Sequence, residues 1–368
     1  MKKIYFDVSE YQSGNLKNLD SVRGLMALFI LGCHYCASFG CSFPHFHEFY
    51  PLGWLNNATI GLCYFFLLSG FVICYSTQYK QKEIVIWKYA ANRMWRLLPP
   101  IAVSLLAMWL FQMNGWLIVS EQTIGSSKWL QGLYQFSNLE ILVNPLKDIF
   151  INSFFIGEVL YNCNLWAIRF EFLVPLAIVL ISPFLSNRRM RMILLVFTIA
   201  LLVSYADKRW FWLACMFVGS LGCFYFKDNH LYVYRKFAYC VLGGGIIVMS
   251  FPKYLIMIGG ESLWRYINLC VALAIIYLIV NSVKNNLCDR IMNSSILTIL
   301  GRISYEIYCF HLFFLFIFSP IVIKCASKCF EEEISVLIGY ASTILAVVVF
   351  SYLFHKYVSV NLLKFKIK

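Results

Sequence analysis

The chain has 368 residues, 61% of them hydrophobic and only 13% charged, with a formal net charge of +13. Soluble globular proteins carry about 25% charged residues, so this balance excludes an ordinary soluble domain and points to an all-α, polytopic transmembrane helix bundle. The basic residues lie at the ends of apolar runs, with no basic-aromatic patch on a soluble domain. That placement argues against a nucleic-acid partner and assigns the charge to topology and contact with membrane lipid.

Ten spans are predicted near 21–39, 58–77, 97–119, 165–185, 192–206, 210–226, 237–251, 263–282, 296–320 and 334–355, within a single domain covering 1–368. Each is expected to be a helix, because lipid leaves no other open structure with its backbone groups satisfied. The first apolar run lacks a small-residue cleavage site and reads as a retained span rather than a signal peptide. With the tail of about residues 1–18 placed inside, the inner segments hold 21 of the 31 Lys and Arg and the outer ones 7. The bias supports an even number of spans and puts both termini in the cytoplasm. Residues 80–96 (KQKEIVIWKYAANRMWR) mix basic and apolar residues at helical spacing and predict a separate interfacial helix on the inner surface.

Most of the 14 Cys lie in apolar runs, where the thiol acts as a small hydrophobe. Cys33-His34-Tyr35-Cys36 looks like a metal-site fragment, but no second ligand pair follows at zinc spacing, so no metal is expected. Cys325 and Cys329 fall in a predicted outer loop, where an oxidising compartment permits pairing.

The candidate chemistry begins at His34, within LDSVRGLMALFILGCHY. Thirteen residues from Ser21, at about 1.5 Å per residue, place it roughly 20 Å along the span and past the bilayer middle. An ionisable residue at that depth is costly, and such residues usually face a bundle interior or a wet cavity. Neutral imidazole serves as a general base near pH 7. A packed histidine bonded across helices is the plainer alternative.

Ser69 closes the run FFLLSG, where a hydroxyl beside Gly70 allows close helix approach or lines a narrow path. Arg93 and Arg96, in RMWRLLPP, are three apart and share a helical face, just before Pro99 and Pro100. They read as a phosphate clamp at a helix break, or as ordinary positive-inside residues. Trp166, Arg169 and Glu171 sit early in the fourth span. Glu171 is expected to orient His34, to hold an acceptor, or to form a structural ion pair. Arg169, two residues away on another face, should pair elsewhere. Tyr305, Glu306 and His311 lie in GRISYEIYCFH of the ninth span, with His311 either a second polar wall or a cross-helix bond. His45, His47 and Glu48 cluster in the first outer loop, where a solvated turn is favoured over an acceptor contact. The chain has no G-x-S-x-G elbow, no G-x-x-x-x-G-K-[ST] loop and no H-E-x-x-H.

In order and spacing these motifs resemble the acyltransferase 3 family from about Leu19 to His311. The LDGLRG-like start leads to the first-span histidine, matched by His34. The R-x-x-R pair before proline matches Arg93 and Arg96, the tryptophan-to-glutamate motif matches Trp166 and Glu171, and the late run ending in histidine matches Gly301 to His311. The chain departs at Ser21, where the family more often has glycine, at Arg169 inside the tryptophan-to-glutamate motif, and at Val174-Pro175 after it.

The resemblance implies a bacterial inner-membrane enzyme with a ten-helix core. It would move an acyl group, usually acetyl from cytoplasmic acetyl-CoA, onto a hydroxyl of a cell-surface or lipid-linked carbohydrate. His34 and Glu171 would then be catalytic, and Arg93 and Arg96 would hold the donor. Ser69, Trp166, Arg169, Tyr305 and His311 would line the cavity or contact the acceptor. A carrier or flippase for lipid-linked sugars is the alternative of a different class, and a non-catalytic sensor a third. The acceptor sugar, its position and the oligomeric state are left open.

Overall fold

The computed structural model describes residues 13–40, 57–79, 85–116, 127, 130, 144–204, 208–225, 231–282, 287–362 and 364. Every regular element among them is helical. In chain order the main ones are α1 (Ser13–Phe39), α2 (Ala58–Tyr79), α3 (Ile86–Met113), a π-helix (Asp148–Ile156), a 3-10 turn (Cys163–Ala167) leading into α4 (Ile168–Ile181), α5 (Arg188–Val203), α6 (Lys208–Tyr225), α7 (Leu231–Met249), α8 (Pro252–Val280), α9 (Leu287–Met292), α10 (Ser295–Ala326) and α11 (Glu332–Phe354), which ends in a π turn (His355–Ser359).

A helix occupies each of the ten predicted stretches, but among the described residues seven are long and apolar enough to cross a membrane. The three that fall short are α5, α6 and α7, with 16, 18 and 19 residues. About 20 apolar residues are needed to cross roughly 30 Å of hydrocarbon, and α6 and α7 also carry basic pairs, Lys208-Arg209 and Arg235-Lys236.

The predicted interfacial helix is not a separate element. α3 starts at Ile86 and runs unbroken to Met113, with Pro99 and Pro100 inside it. The two prolines leave the Trp95 and Arg96 carbonyls without their usual helical donors. A bundle tolerates this because neighbouring helices and side chains support the freed backbone, and here Tyr305 donates to the Leu97 carbonyl at 2.9 Å. The predicted eighth span begins later than its helix. Gly260, at φ 65°, interrupts α8, and the apolar stretch continues beyond it.

Two close crossings fix the site. α1 meets α10 at Gly24 and Gly301, where a β-carbon would strike the Leu300 backbone and the Asp20 carbonyl respectively. α2 meets α6 in the same manner through Gly70 and Gly219. Without a hydrophobic drive between helices in lipid, such small residues supply the contact. The core fills the spaces between α1, α2, α6 and α8 on one side, and between α3, α4 and α10 on the other.

Candidate active site

The site is a cavity of about 260 Å³ between α1, α2, α3, α4 and α10. Cavities that enclose a whole ligand usually run from about 300 to 1,000 Å³, so this one suits a slender segment better than a complete sugar nucleotide. Along α1 its lining runs from Leu19 to Ile30, a rise of about 16 Å at 1.5 Å per residue. One end carries charge and the remainder is mostly apolar.

Three guanidiniums and two carboxylates line the charged end: Arg23, Arg93 and Arg96 with Asp20 and Glu171. Arg23 pairs with Asp20 at 3.1 Å, one helical turn away, and is braced across the α1–α10 crossing by Ser304 Oγ at 2.9 Å and the Gly301 carbonyl at 3.1 Å. Arg93 donates through Nε to the Glu171 carbonyl at 2.6 Å and through Nη2 to its carboxylate at 3.0 Å. The Ser69 hydroxyl donates to both oxygens of the same carboxylate, at 2.8 and 2.9 Å. Two of the three cations are thereby matched by an acid.

Arg96 is the third. Among the described residues it has no hydrogen bond or ion pair, and it opens on the cavity with an exposed surface. The R-x-x-R pair therefore splits: Arg93 is tied to Glu171, whereas Arg96 feels Asp20 and Glu306 only at longer range and keeps its hydrogen-bond donors for a ligand.

Glu171 does not reach His34, contrary to one sequence expectation. A carboxylate at membrane depth takes the cation available to it, and Arg93 is that cation. Ser69 and Tyr305 do line the cavity, as expected. Trp166 and Arg169 are not among its lining residues. Trp166 is an aromatic anchor, with ring centroids 6.3 Å from Phe66 and 6.0 Å from both Phe170 and Trp212. Arg169 donates to the Ile156 carbonyl at 2.5 Å and lies over the Phe170 ring at 4.7 Å. Gly157, at φ 80°, closes the π-helix beside it and brings that carbonyl within reach.

His34 and His311 stand just beyond the apolar end. His34 is one turn past Ile30, the last α1 residue of the lining, and partly exposed. Its Nδ1 lies 2.8 Å from Nε2 of His311, and the two nearly parallel rings meet edge to edge with centroids 5.1 Å apart. His311, 1% exposed, is a cross-helix bond rather than a wall of the cavity. Its other nitrogen, Nδ1, faces the carbonyls of Tyr308 at 2.8 Å and Ile307 at 3.2 Å on its own helix.

Asn164 joins the pair. Its Nδ2 is 3.0 Å from His311 Nε2 and 3.4 Å from His34 Nδ1. Its carbonyl accepts from the Tyr308 hydroxyl, and Tyr308 is itself part of the cavity wall. The segment carrying Asn164 is fixed from both sides. Buried Asp148 accepts the backbone N–H groups of Leu160 at 2.9 Å and Tyr161 at 3.1 Å, and Asn162 donates to Ser104 Oγ at 2.8 Å and the Cys309 carbonyl at 3.0 Å.

The sequence reading missed Asn164, Asp20 and Arg23. Asn164 lies two residues before Trp166, and Arg23 is one of the basic residues at the inner end of the first predicted span. Glu306 bonds His355 of the terminal π turn at 2.7 Å, away from His311. No three His, Cys, Asp or Glu side chains come together as a metal site among the described residues. Cys325 and Cys329 are free, exposed thiols. His45, His47 and Glu48 lie outside the described residues.

Apolar spanning helices around a cavity that is charged at one end and backed by a pair of bonded imidazoles at the other define an integral membrane protein with a built interior site. Residues 16–356 match the acyltransferase-domain profile of the acyltransferase 3 family, and the chain belongs to that family. It is a membrane acyltransferase by that membership. No curated protein and no solved structure matches it.

Proposed function

We propose that the protein is an O-acyltransferase that moves an acetyl group from cytoplasmic acetyl-CoA to a hydroxyl of a cell-surface or lipid-linked carbohydrate. The observation that carries this reading is the cavity. It has a guanidinium free of direct ion pairs at its mouth, a lining about 16 Å long that is mostly apolar beyond the charged end, and a histidine one turn past the apolar end. Phosphate groups suit Arg96, because a guanidinium presents a planar fork of donors to phosphate oxygens. A thin, largely uncharged arm suits the shaft. The thioester then arrives beside His34, where imidazole acts as general base for the acceptor hydroxyl.

Arg93 serves this reading as a positioning residue. Its pairing holds Glu171 and Ser69 along one wall, so those groups shape the passage rather than attack the thioester. The basic residues concentrated at the inner ends of the ten predicted spans support a cytoplasmic mouth and both termini inside, and the family resemblance supports residence in a bacterial inner membrane.

The test is transfer from radiolabelled acetyl-CoA by purified protein in lipid nanodiscs, scored as label moved to carbohydrate extracted from the producing cells. The reading expects label in the carbohydrate with the wild type and none with His34→Ala. Intact acetyl-CoA after prolonged incubation with wild-type protein, alongside transport of lipid-linked sugar, would contradict it.

A further inference from the structure

We infer that His311 and Asn164 fix the tautomer of His34, so that a lone pair stands on Nε2 of the first-span histidine. The inference rests on the acyltransferase reading for its catalytic consequence, but not for the hydrogen-bond assignment itself.

The assignment starts from backbone carbonyls, which only accept. His311 Nδ1 faces two of them, at 2.8 and 3.2 Å, so it carries a proton. In the neutral ring the other nitrogen, Nε2, is then an acceptor. Both groups that approach Nε2 must donate: Asn164 Nδ2 at 3.0 Å and His34 Nδ1 at 2.8 Å. Asn164 is oriented accordingly, with its amide oxygen turned to the Cys163 thiol at 4.0 Å. The proton of neutral His34 thus sits on Nδ1, and its Nε2 is the basic nitrogen. The 3.4 Å approach of Asn164 Nδ2 to His34 Nδ1 is the longest of these five contacts to the two imidazoles and is subordinate to the other four.

The chain of donors runs in one direction, from His34 through His311 to the α10 backbone. This is the logic of a base held by a third group. It differs in that the group behind the base is a neutral imidazole rather than a carboxylate. In the transfer step His34 Nε2 takes the proton of the acceptor hydroxyl while its oxygen bonds to the acyl carbon. The carbon–sulfur bond then breaks, and the coenzyme thiolate takes that proton back as it leaves. While His34 is an imidazolium, its Nδ1–H bond to His311 Nε2 holds the ring and stabilises the added charge. His311 and Asn164 are therefore positioning residues that touch neither substrate.

The chain has six histidines, few enough to assign in ¹⁵N spectra of histidine-labelled protein in nanodiscs by removing them one at a time. The wild type should show His34 protonated at Nδ1 and His311 protonated at Nδ1. His311→Ala should erase the first signature, whereas His311→Gln, whose amide oxygen can stand where Nε2 was, should keep it. With acetyl-CoA, His311→Ala should lower kcat by about 10- to 100-fold at nearly unchanged KM, and His311→Gln should recover most of the loss. Asn164→Ala should fall between the two.

A wild-type His34 protonated at Nε2, or a His34 signature that survives His311→Ala, would overturn the assignment. Should His311→Ala misfold, the wild-type spectrum and His311→Gln decide the matter alone. The expected spectra from a wild type that never transfers acetyl would sink the acyltransferase reading while leaving the tautomer assignment standing.

Discussion

The two ends of the cavity solve the same problem, polar groups at membrane depth, by opposite means. The mouth uses full charges and neutralises most of them: Asp20 with Arg23, Glu171 with Arg93. The far end uses neutral groups chained by direction, Asn164 and His34 onto His311 and His311 onto carbonyls. The mouth therefore has one charge to offer a ligand, on Arg96, whereas the far end has a lone pair to offer a proton. Charge attracts and holds; a tautomer prepares chemistry. Each end would fail at the other's task, since a free cation beside the thioester would not accept a proton and a neutral imidazole would not gather phosphates.

The sharpest separation comes from the far end. His34→Ala should cut acetyl transfer by about 10²- to 10⁴-fold, the usual contribution of a positioned general base, with donor affinity retained in a binding assay. Next is the paired part of the mouth. Glu171→Leu strands Arg93 and removes the acceptor of the Ser69 hydroxyl. It should lower stability in a detergent melt by about 2–4 kcal/mol, and the double variant Glu171→Leu, Arg93→Met should recover part of that. Arg96→Ala, which breaks no pair, should leave the melt unchanged but raise KM for acetyl-CoA by roughly 10- to 100-fold. Arg96→Lys should fall between, since a point charge replaces the fork. The smallest effect belongs to Asp20→Asn. Its side chain is 53% exposed and Arg23 keeps Ser304 and the Gly301 carbonyl, so the melt should shift by less than about 1 kcal/mol.

The sequence made the helices legible because long apolar runs admit no other structure in lipid, and a helix stands at each predicted stretch. It was less able to say which of them span, because α5, α6 and α7 are near the length limit and their boundaries decide the matter. Pro99 and Pro100 misled in the same direction: local chemistry says break, while the bundle tolerates them inside α3. In the site, His34 and Ser69 were legible as a costly and a small residue in apolar runs, and Arg96 as half of an R-x-x-R pair before two prolines. The pairing of Arg93 with Glu171 was not, since 78 positions separate them and each had other plausible partners. Asn164 was hidden for another reason. A single amide at the foot of a span carries no spacing pattern, and its importance lies only in the two rings that the fold brings to it. Arg23 was masked by the positive-inside bias, which explains any arginine near the inner end of a span.

The central claim is that an anionic donor is gathered at Arg96 and reacts beside His34. Comparing acetyl-CoA with S-acetylpantetheine, which has the same arm and thioester but no nucleotide phosphates, tests it most directly. Arg96→Ala should impair the reaction of acetyl-CoA and leave that of S-acetylpantetheine at the wild-type level, while His34→Ala abolishes both. Equal loss of the two donors in Arg96→Ala, or survival of either in His34→Ala, would contradict the account.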